Sequence, residues 1–322
     1  MKIEQYDMNN KSNDKIWACL LHLSFNFAAG IKAYGGIRTE FELDEALWKD
    51  ALKRMAEKGL NTVLINVEDS VQWNSHPEIA TRNAWSVSRL REELDKIRQM
   101  GIEPIPMLNF STTHDAWLGK YSRMVSTKTY YQVCSNLISE MINIFDKPRF
   151  FHLGMDEESA QNQRRSDFVV VRQNNLWWAD FYFLIAEVEK GNVRPWIWSD
   201  YVWHHPEEFY KKMPKSILQS NWYYGKELDS PKLSDATKTV IAAYSQLDSH
   251  GYDQIPTGSN NLHNPESIGN TVKFCKEHID DFRLLGFLQT FWKPTIEKYR
   301  SLILEGIDVA GEAKNWFEKN KK

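Results

Sequence analysis

The chain has 322 residues, with 40 lysines and arginines against 43 aspartates and glutamates, a formal charge of −3. Its 42% hydrophobic and 26% charged residues are ordinary globular usage, which excludes a disordered or fibrous chain. Balanced charge without a Lys/Arg block leaves no footprint for nucleic acid or an anionic membrane surface, and no apolar run approaches the roughly 18 residues of a membrane span.

Residues 1–15 are polar and lack the apolar core of a signal peptide, so they are read as an N-terminal extension of a soluble, cytoplasmic protein. No Pro/Gly/Ser linker divides residues 16–322, which are read as one domain. Along them, apolar runs alternate with amphipathic stretches. A strand at 16–25 is followed by a helix at 44–58, with Leu47, Ala51, Leu52 and Met55 on one face and Gly59 as its stop. A strand at 61–67 precedes a helix at 88–100, which turns Leu90, Leu94 and Ile97 inward and ends at Gly101. The third strand, 102–109, holds Pro104 and Pro106, which weaken a ladder but demand extended backbone. A helix at 129–145, a strand at 149–155 and a helix at 176–190 come next. Strands at 193–198, 217–223, 239–244 and 284–291 complete eight. Among them lie helices at 207–213 and 265–278, the second with Asn264 as N-cap and Pro265 in its first position. Residues 230–236 hold at most a short helix, and 295–320 is the last helical region. Eight alternations in one undivided chain predict an α/β fold, a (β/α)8 TIM barrel. A doubly wound sheet would show a Gly-rich phosphate turn after strand one, and Phe25-Asn26-Phe27-Ala28-Ala29-Gly30 offers none.

Cys19, Cys134 and Cys275 are far apart and odd in number, which favours buried thiols over disulfides or a zinc site. No spaced histidine ligand set occurs either, so neither a metal nor another cofactor is expected. Thirteen tryptophans beside 13 tyrosines and 16 phenylalanines either fill a large core or line a site for flat apolar faces such as sugar rings. Trp177-Trp178 lie on an amphipathic helix; exposed there, they would make a homodimer face.

A barrel's chemistry sits at the C-terminal ends of its strands. Polar and aromatic candidates there are Asn66, Glu68, Asp69, Asn109, Asp156, Glu157, Asp200, Trp222 and Trp292. The densest cluster is Phe150-Phe151-His152-Leu153-Gly154-Met155-Asp156-Glu157-Glu158, which puts a carboxylate pair at the barrel mouth. Consecutive residues leaving a strand point in different directions, so the pair suits two roles on one substrate. The alternative is that Asp156 caps a following helix and Glu157 and Glu158 form its solvated first turn. Trp196 and Trp198 share one face of their strand, the inward one, and Asp200 beyond them is either a hydroxyl ligand or a helix cap.

The motif His152-x-Gly154-x-Asp156-Glu157 resembles the His-x-Gly-Gly-Asp-Glu signature of family 20 glycoside hydrolases, the β-N-acetylhexosaminidases. The likeness runs in chain order over residues 16–293. It takes in Leu60-Asn61-Thr62-Val63 through Glu68-Asp69 and Trp73, then Gly101-Ile102-Glu103-Pro104-Ile105-Pro106, and Ala116-Trp117-Leu118. Leu218-Gln219-Ser220-Asn221-Trp222 and Gly286-x-x-Gln289-x-x-Trp292 extend it to strands six and eight. The resemblance implies a retaining glycosidase of carbohydrate substrates in which the substrate's own 2-acetamido group is the nucleophile. Glu157 would be the general acid and then base, and Asp156 would orient and stabilise the acetamido group. That division needs Glu157 raised toward the working pH by an aromatic pocket and Asp156 kept ionised. Trp198, Trp222 and Trp292 would wall the pocket, with Tyr252, or less directly Tyr244, completing it. His152, Asn109, Asp69 and Asp200 would join the substrate-binding set. The sequence departs from the family at Phe25, where an Arg grips sugar hydroxyls, and at His22, where a carboxylate stands. Asp-x-Pro-Gly-His becomes Asn109-Phe110-Ser111-Thr112-Thr113, with His114 displaced by one, and Pro294 replaces an acid. Two other readings fit the same residues. One is a carbohydrate-binding barrel without turnover; the other is a two-carboxylate glycosidase in which Asp69 or Asp200 opposes Glu157.

Overall fold

Short runs of β-branched and aromatic residues become strands wherever both their faces can be covered, and here eight of them do. The computed structural model describes residues 14–27, 36–164, 166, 168–262 and 264–320. Most of the extension expected at 1–15 lies outside these, as do Ala28, Ala29 and Gly30. The elements are β1 (Ile16–His22), α1 (Glu45–Glu57), β2 (Thr62–Asn66), α2 (Val87–Gln99), β3 (Glu103–Met107), α3 (Lys128–Ile144), β4 (Phe150–His152) and α4 (Asn175–Lys190). Then come β5 (Arg194–Trp198), the short α5 (Tyr201–His204) and α6 (Pro206–Lys212), β6 (Leu218–Ser220), α7 (Asp235–Ser249), β7 (Thr257–Ser259), α8 (Ser267–His278), β8 (Gly286–Thr290) and α9 (Arg300–Lys319). All strand pairs are parallel, in the order β6-β5-β4-β3-β2-β1-β8-β7. Isolated bridges Gln219↔Gln254 and Trp222↔Thr257 join β6 to the β7 segment, so the sheet closes on itself as a (β/α)8 barrel.

Strand alternation sorts the buried residues into two layers. Ile16, Ala18, Leu20, Leu64, Ile105, Met107, Phe150, Trp196, Trp198, Leu218 and Leu288 fill the interior as one cluster. The intervening positions, such as Trp17, Cys19, Leu21, Val63, Ile65 and Ile197, pack under the helices. Continuing the inward register past each strand end therefore leads to the mouth: His22, Asn66 to Glu68, Asn109, His152 to Asp156, Asp200, Trp222 and Trp292. Helix starts are fixed by side-chain caps, with Asp44, Ser86, Thr127 and Ser234 each accepting from a backbone N–H three residues on.

The prolines of β3 leave a specific mark. Odd-numbered residues of this strand donate toward β2, as Glu103 N does to Asn61 O at 2.8 Å, while even-numbered ones face β4. Pro104 and Pro106 thus have no N–H on the β4 side, and the β3–β4 register shrinks to the single pair Met107↔His152. Beyond the prolines the ladder resumes with Leu108 N donating to His152 O at 3.0 Å.

Two sequence expectations are corrected, and one condition is not met. Residues 239–244 belong to α7, not to a strand: Ser234 caps the helix, and Ile241, Tyr244 and Leu247 bury a helical stripe. The seventh strand is Thr257–Ser259 instead. Asn264 does not cap α8, which begins at Ser267, because its amide donates to Tyr224 O at 2.9 Å. Trp177 and Trp178 are each 2% exposed and pack on Phe181 and Tyr201, which removes the exposed pair that suggested a homodimer. The three cysteines are buried and free. Among the described residues no helix is long and apolar enough to cross a membrane.

Candidate active site

Among the described residues no helix lies between Asp156 and α4, which starts at Asn175, so Asp156 is not the cap of a helix that Glu157 and Glu158 begin. The turn that presents the pair runs through three left-handed residues, Gly154 (φ 71°), Met155 (φ 74°) and Glu157 (φ 57°). Glycine is required at 154 twice over, by its φ and because a Cβ would overlap the Asn109 amide. Left-handed backbone at the bulky Met155 and Glu157 is costly and persists only where surroundings over-determine it. Those surroundings are visible. Asn109 Nδ2 donates to Asp156 Oδ1 at 2.8 Å, while Asn109 Oδ1 accepts from Ser111 N and Met155 N. Ser111 Oγ donates to Asp156 O, and Thr113 Oγ1 to Glu157 O at 2.8 Å.

His114 sits between the two carboxylates, its Nε2 3.3 Å from Asp156 Oδ2 and 3.4 Å from Glu157 Oε2. Burial alone would lower its pKa, but the charges and hydrogen bonds of Asp156 and Glu157 outweigh it and hold His114 well above the ordinary value. Reciprocally, burial pushes Asp156 up, and the His114 charge together with the His114 and Asn109 hydrogen bonds brings it below the usual carboxylate range. The two acids differ in access. Asp156 is buried, whereas the Glu157 side chain is 39% exposed.

Asp200 stands at the N-cap position of α5, but its side chain does not cap that helix. Its Oδ2 accepts from Glu157 N at 2.7 Å, which helps fix the strained turn. Burial, then the Asp156 charge, pushes Asp200 up to about 8. The sign of the linkage follows. An unfolded aspartate titrates near 3.9, so this group's contribution to stability is complete below about pH 4 and is lost as the pH rises through about 8, at up to about 1.4 kcal/mol per unit. Asp200→Asn keeps an oxygen for Glu157 N and removes the titration. Thermal melts should show the variant gaining on the wild type steadily from pH 4 to pH 8; a constant difference would contradict the assignment.

His152 lies inside, with its ring 4.5 Å from Trp198 and 5.0 Å from Trp196, and burial takes its pKa down to about 3. Its Nδ1 accepts from Gly154 N at 3.0 Å, so it supports the turn as a neutral ring. Trp198 is 1% exposed and packs at 5.8 Å from Trp292. Trp222 is half-buried, stacked on Tyr224 at 5.1 Å. Trp292, itself left-handed at φ 48°, donates from Nε1 to Tyr224 Oη at 3.0 Å. These aromatics wall one side of the mouth.

Two candidates fall away. Tyr252 is fully buried before β7, at the opposite end of the barrel, where its hydroxyl donates to Met213 O and the neighbouring Asp253 pairs with Arg194 at the start of β5. Tyr244 is equally buried on α7. The tyrosine at the wall is Tyr224, which the sequence reading passed over; inward alternation through Ser220 and Trp222 was the signal for it. Asp69 turns into the first loop, accepting from Ser24 Oγ and from Asn26 Nδ2 at 2.7 Å; burial still raises it to about 6. Glu68 is the residue of that pair beside the cluster. It is buried near Asn66, Asn109 and His114, and desolvation and then Asp69 hold its carboxyl well above the ordinary range.

No protein-family model and no curated protein matches the chain. Solved structures do. A glycoside hydrolase family 20 β-N-acetylglucosaminidase aligns at TM-score 0.61 and 12% identity, covering 94% of this chain and 69% of its own. The family 20 β-N-acetylhexosaminidase of Streptomyces coelicolor A3(2) aligns at 0.60 and 14%, covering 92% and 64%. The β-N-acetylhexosaminidase of Bacteroides fragilis NCTC 9343 aligns at 0.62 and 11%, covering 95% and 71%. The chain thus spans about two thirds of the length of these proteins, and at such identities the likeness is one of architecture. Its (β/α)8 barrel has the fold of the family 20 β-N-acetylhexosaminidases.

Proposed function

We propose that this chain is a glycoside hydrolase that removes β-linked N-acetylhexosamine by substrate-assisted retention. The observation that carries the reading is His114 held between a buried Asp156 and a solvent-facing Glu157 beside an aromatic wall. In the first step the acetamido oxygen attacks the anomeric carbon, closing an oxazolinium ring, while Glu157 protonates the departing oxygen. The leaving group must exit to solvent, which suits the exposed acid. Positive charge develops on the acetamido group, which suits a buried carboxylate kept ionised by its neighbours. In the second step Glu157 takes a proton from water as it opens the ring with retention. The proton taken from water leaves Glu157 protonated for the next turnover, and His114, 3.4 Å away, holds its carboxyl in position for both steps.

The β1 side of the mouth supports a substrate preference different from that of the family. His22 packs edge-on to Phe25 at 4.8 Å, and Phe27 lies 5.3 Å from His114 and 6.3 Å from Trp292. A sugar edge here meets ring faces and edges, with the Arg38 guanidinium set 5.6 Å from the Phe25 ring behind them. The opposed-carboxylate alternative loses support, because Asp69 is bound into the first loop and Asp200 holds the amide of Glu157 itself.

The test is hydrolysis of aryl β-glycosides with and without the 2-acetamido group. Turnover confined to acetamido sugars is expected. Comparable turnover of plain glucosides would discard substrate assistance, and binding of these sugars without turnover would leave a carbohydrate-binding barrel.

A further inference from the structure

Glu158, next to Glu157 in sequence, does not face the mouth. Its carboxylate is 4% exposed and is enclosed by donors from two loops. Oε1 accepts from Arg172 N at 3.0 Å and Arg172 Nε at 2.9 Å, while Oε2 accepts from Arg172 Nη2 at 2.5 Å and Thr112 N at 3.2 Å. The guanidinium, 1% exposed, also donates from Nη2 to Phe110 O at 2.9 Å and from Nη1 to Asp180 Oδ2 at 3.4 Å. Asp180, on α4, is in turn held by Ser126 Oγ at 2.7 Å and by the Tyr131 hydroxyl. Phe110, bonded to Arg172, and Thr112, bonded to Glu158, lie in the same β3 loop that carries Ser111, Thr113 and His114.

We infer that Arg172 is a positioning residue which, through Glu158 and the Phe110 carbonyl, locks the loop bearing His114 against the loop bearing Asp156 and Glu157. This role rests on the function proposed above. Arg172 touches neither His114 nor the two acids. What it fixes is their relative placement, because Glu158 follows Glu157 by one peptide and Thr112 precedes His114 by two. Five N–H donors in one rigid plane suit this task; a lysine at 172 keeps the charge but cannot serve Glu158, Phe110 and Asp180 in one plane. Placement matters here because the His114 contacts are 3.3–3.4 Å long and a further ångström would break them.

The experiment compares wild type, Arg172→Lys and Glu158→Gln by three readouts. These are the kcat and KM for an aryl β-N-acetylhexosaminide, the NMR titration of His114 in histidine-labelled protein, and thermal melting. His114 faces Asp156 and Glu157, with Glu68 and Asp115 near it, so its titration reports whether those carboxylates stay in place. In folded variants kcat should fall by about tenfold or more with KM changed less than about threefold, the pattern of a lost transition-state contact. The His114 titration should move down by about one pH unit or more as its carboxylates recede. An unchanged His114 titration in a folded variant overturns the inference, whatever happens to kcat; so does a rise in KM alone. If the wild type turns over no acetamido glycoside, the proposed function fails separately and the His114 titration still decides the lock. Should Arg172→Lys not fold, Glu158→Gln, equal in shape, decides the question; two unfolded variants would make the pair a determinant of folding only and overturn the inference.

Discussion

Replacing Glu157 by glutamine should lower kcat on an aryl β-N-acetylhexosaminide by about 10²- to 10⁴-fold, the usual worth of a positioned general acid. Glutamine has the same shape, and the backbone N–H of residue 157 remains available to Asp200, so melting should stay near that of the wild type. The loss should depend on the leaving group. An aryloxide stable as an anion needs no proton, so activated aryl glycosides should retain more of their ring-closing rate than alkyl ones. A uniform loss across leaving groups would assign Glu157 to binding or folding instead of acid catalysis.

Replacing His114 by alanine should act through the pH profile. Without the imidazolium, Asp156 keeps its burial and its proximity to Asp200 but loses the largest influence holding it down. Its pKa must therefore rise, and the acidic limb of kcat/KM should move upward by about one unit or more, because Asp156 works only when ionised. At neutral pH the loss should be about ten- to a hundredfold, part of it from the lost contact that positions Glu157. A profile that drops in height without shifting would show that His114 packs the loop but does not set the charge of Asp156.

The fold was legible because its signals are periodic. Leu47, Ala51, Leu52 and Met55 announce α1 by spacing, and alternation along Trp196 and Trp198 announces which side of β5 faces the axis. Where the spacing is too short to carry a period, the reading failed. Six residues at 239–244 satisfy a strand and a buried helix equally, and only the Ser234 cap, outside that window, separates them. That one misplacement sent the search for the pocket tyrosine to Tyr252, at the wrong end of the barrel. The site shows the same divide. Asp156 and Glu157 could be placed at the mouth from sequence, since they follow a strand. His114 stood out only as the displaced histidine of the strand-three motif, and its place between the two acids depends on how the loop after β3 folds over the loop after β4. That packing is written in Ser111, Thr113, Glu158 and Arg172, none of which forms a local pattern.

The hydrogen bond from Trp292 to Tyr224 has a mechanical meaning. β6 and the β7 segment are joined by two isolated bridges and not by a continuous register. Tyr224 follows β6 and Trp292 follows β8, so their contact spans the gap like a clasp over β7. Any breathing of the barrel at this seam must pull the clasp open and dismantle the aromatic wall with it. A guest resting against that wall would therefore hold this seam shut, and the molecule's resistance to opening there would become a gauge of whether the mouth is occupied.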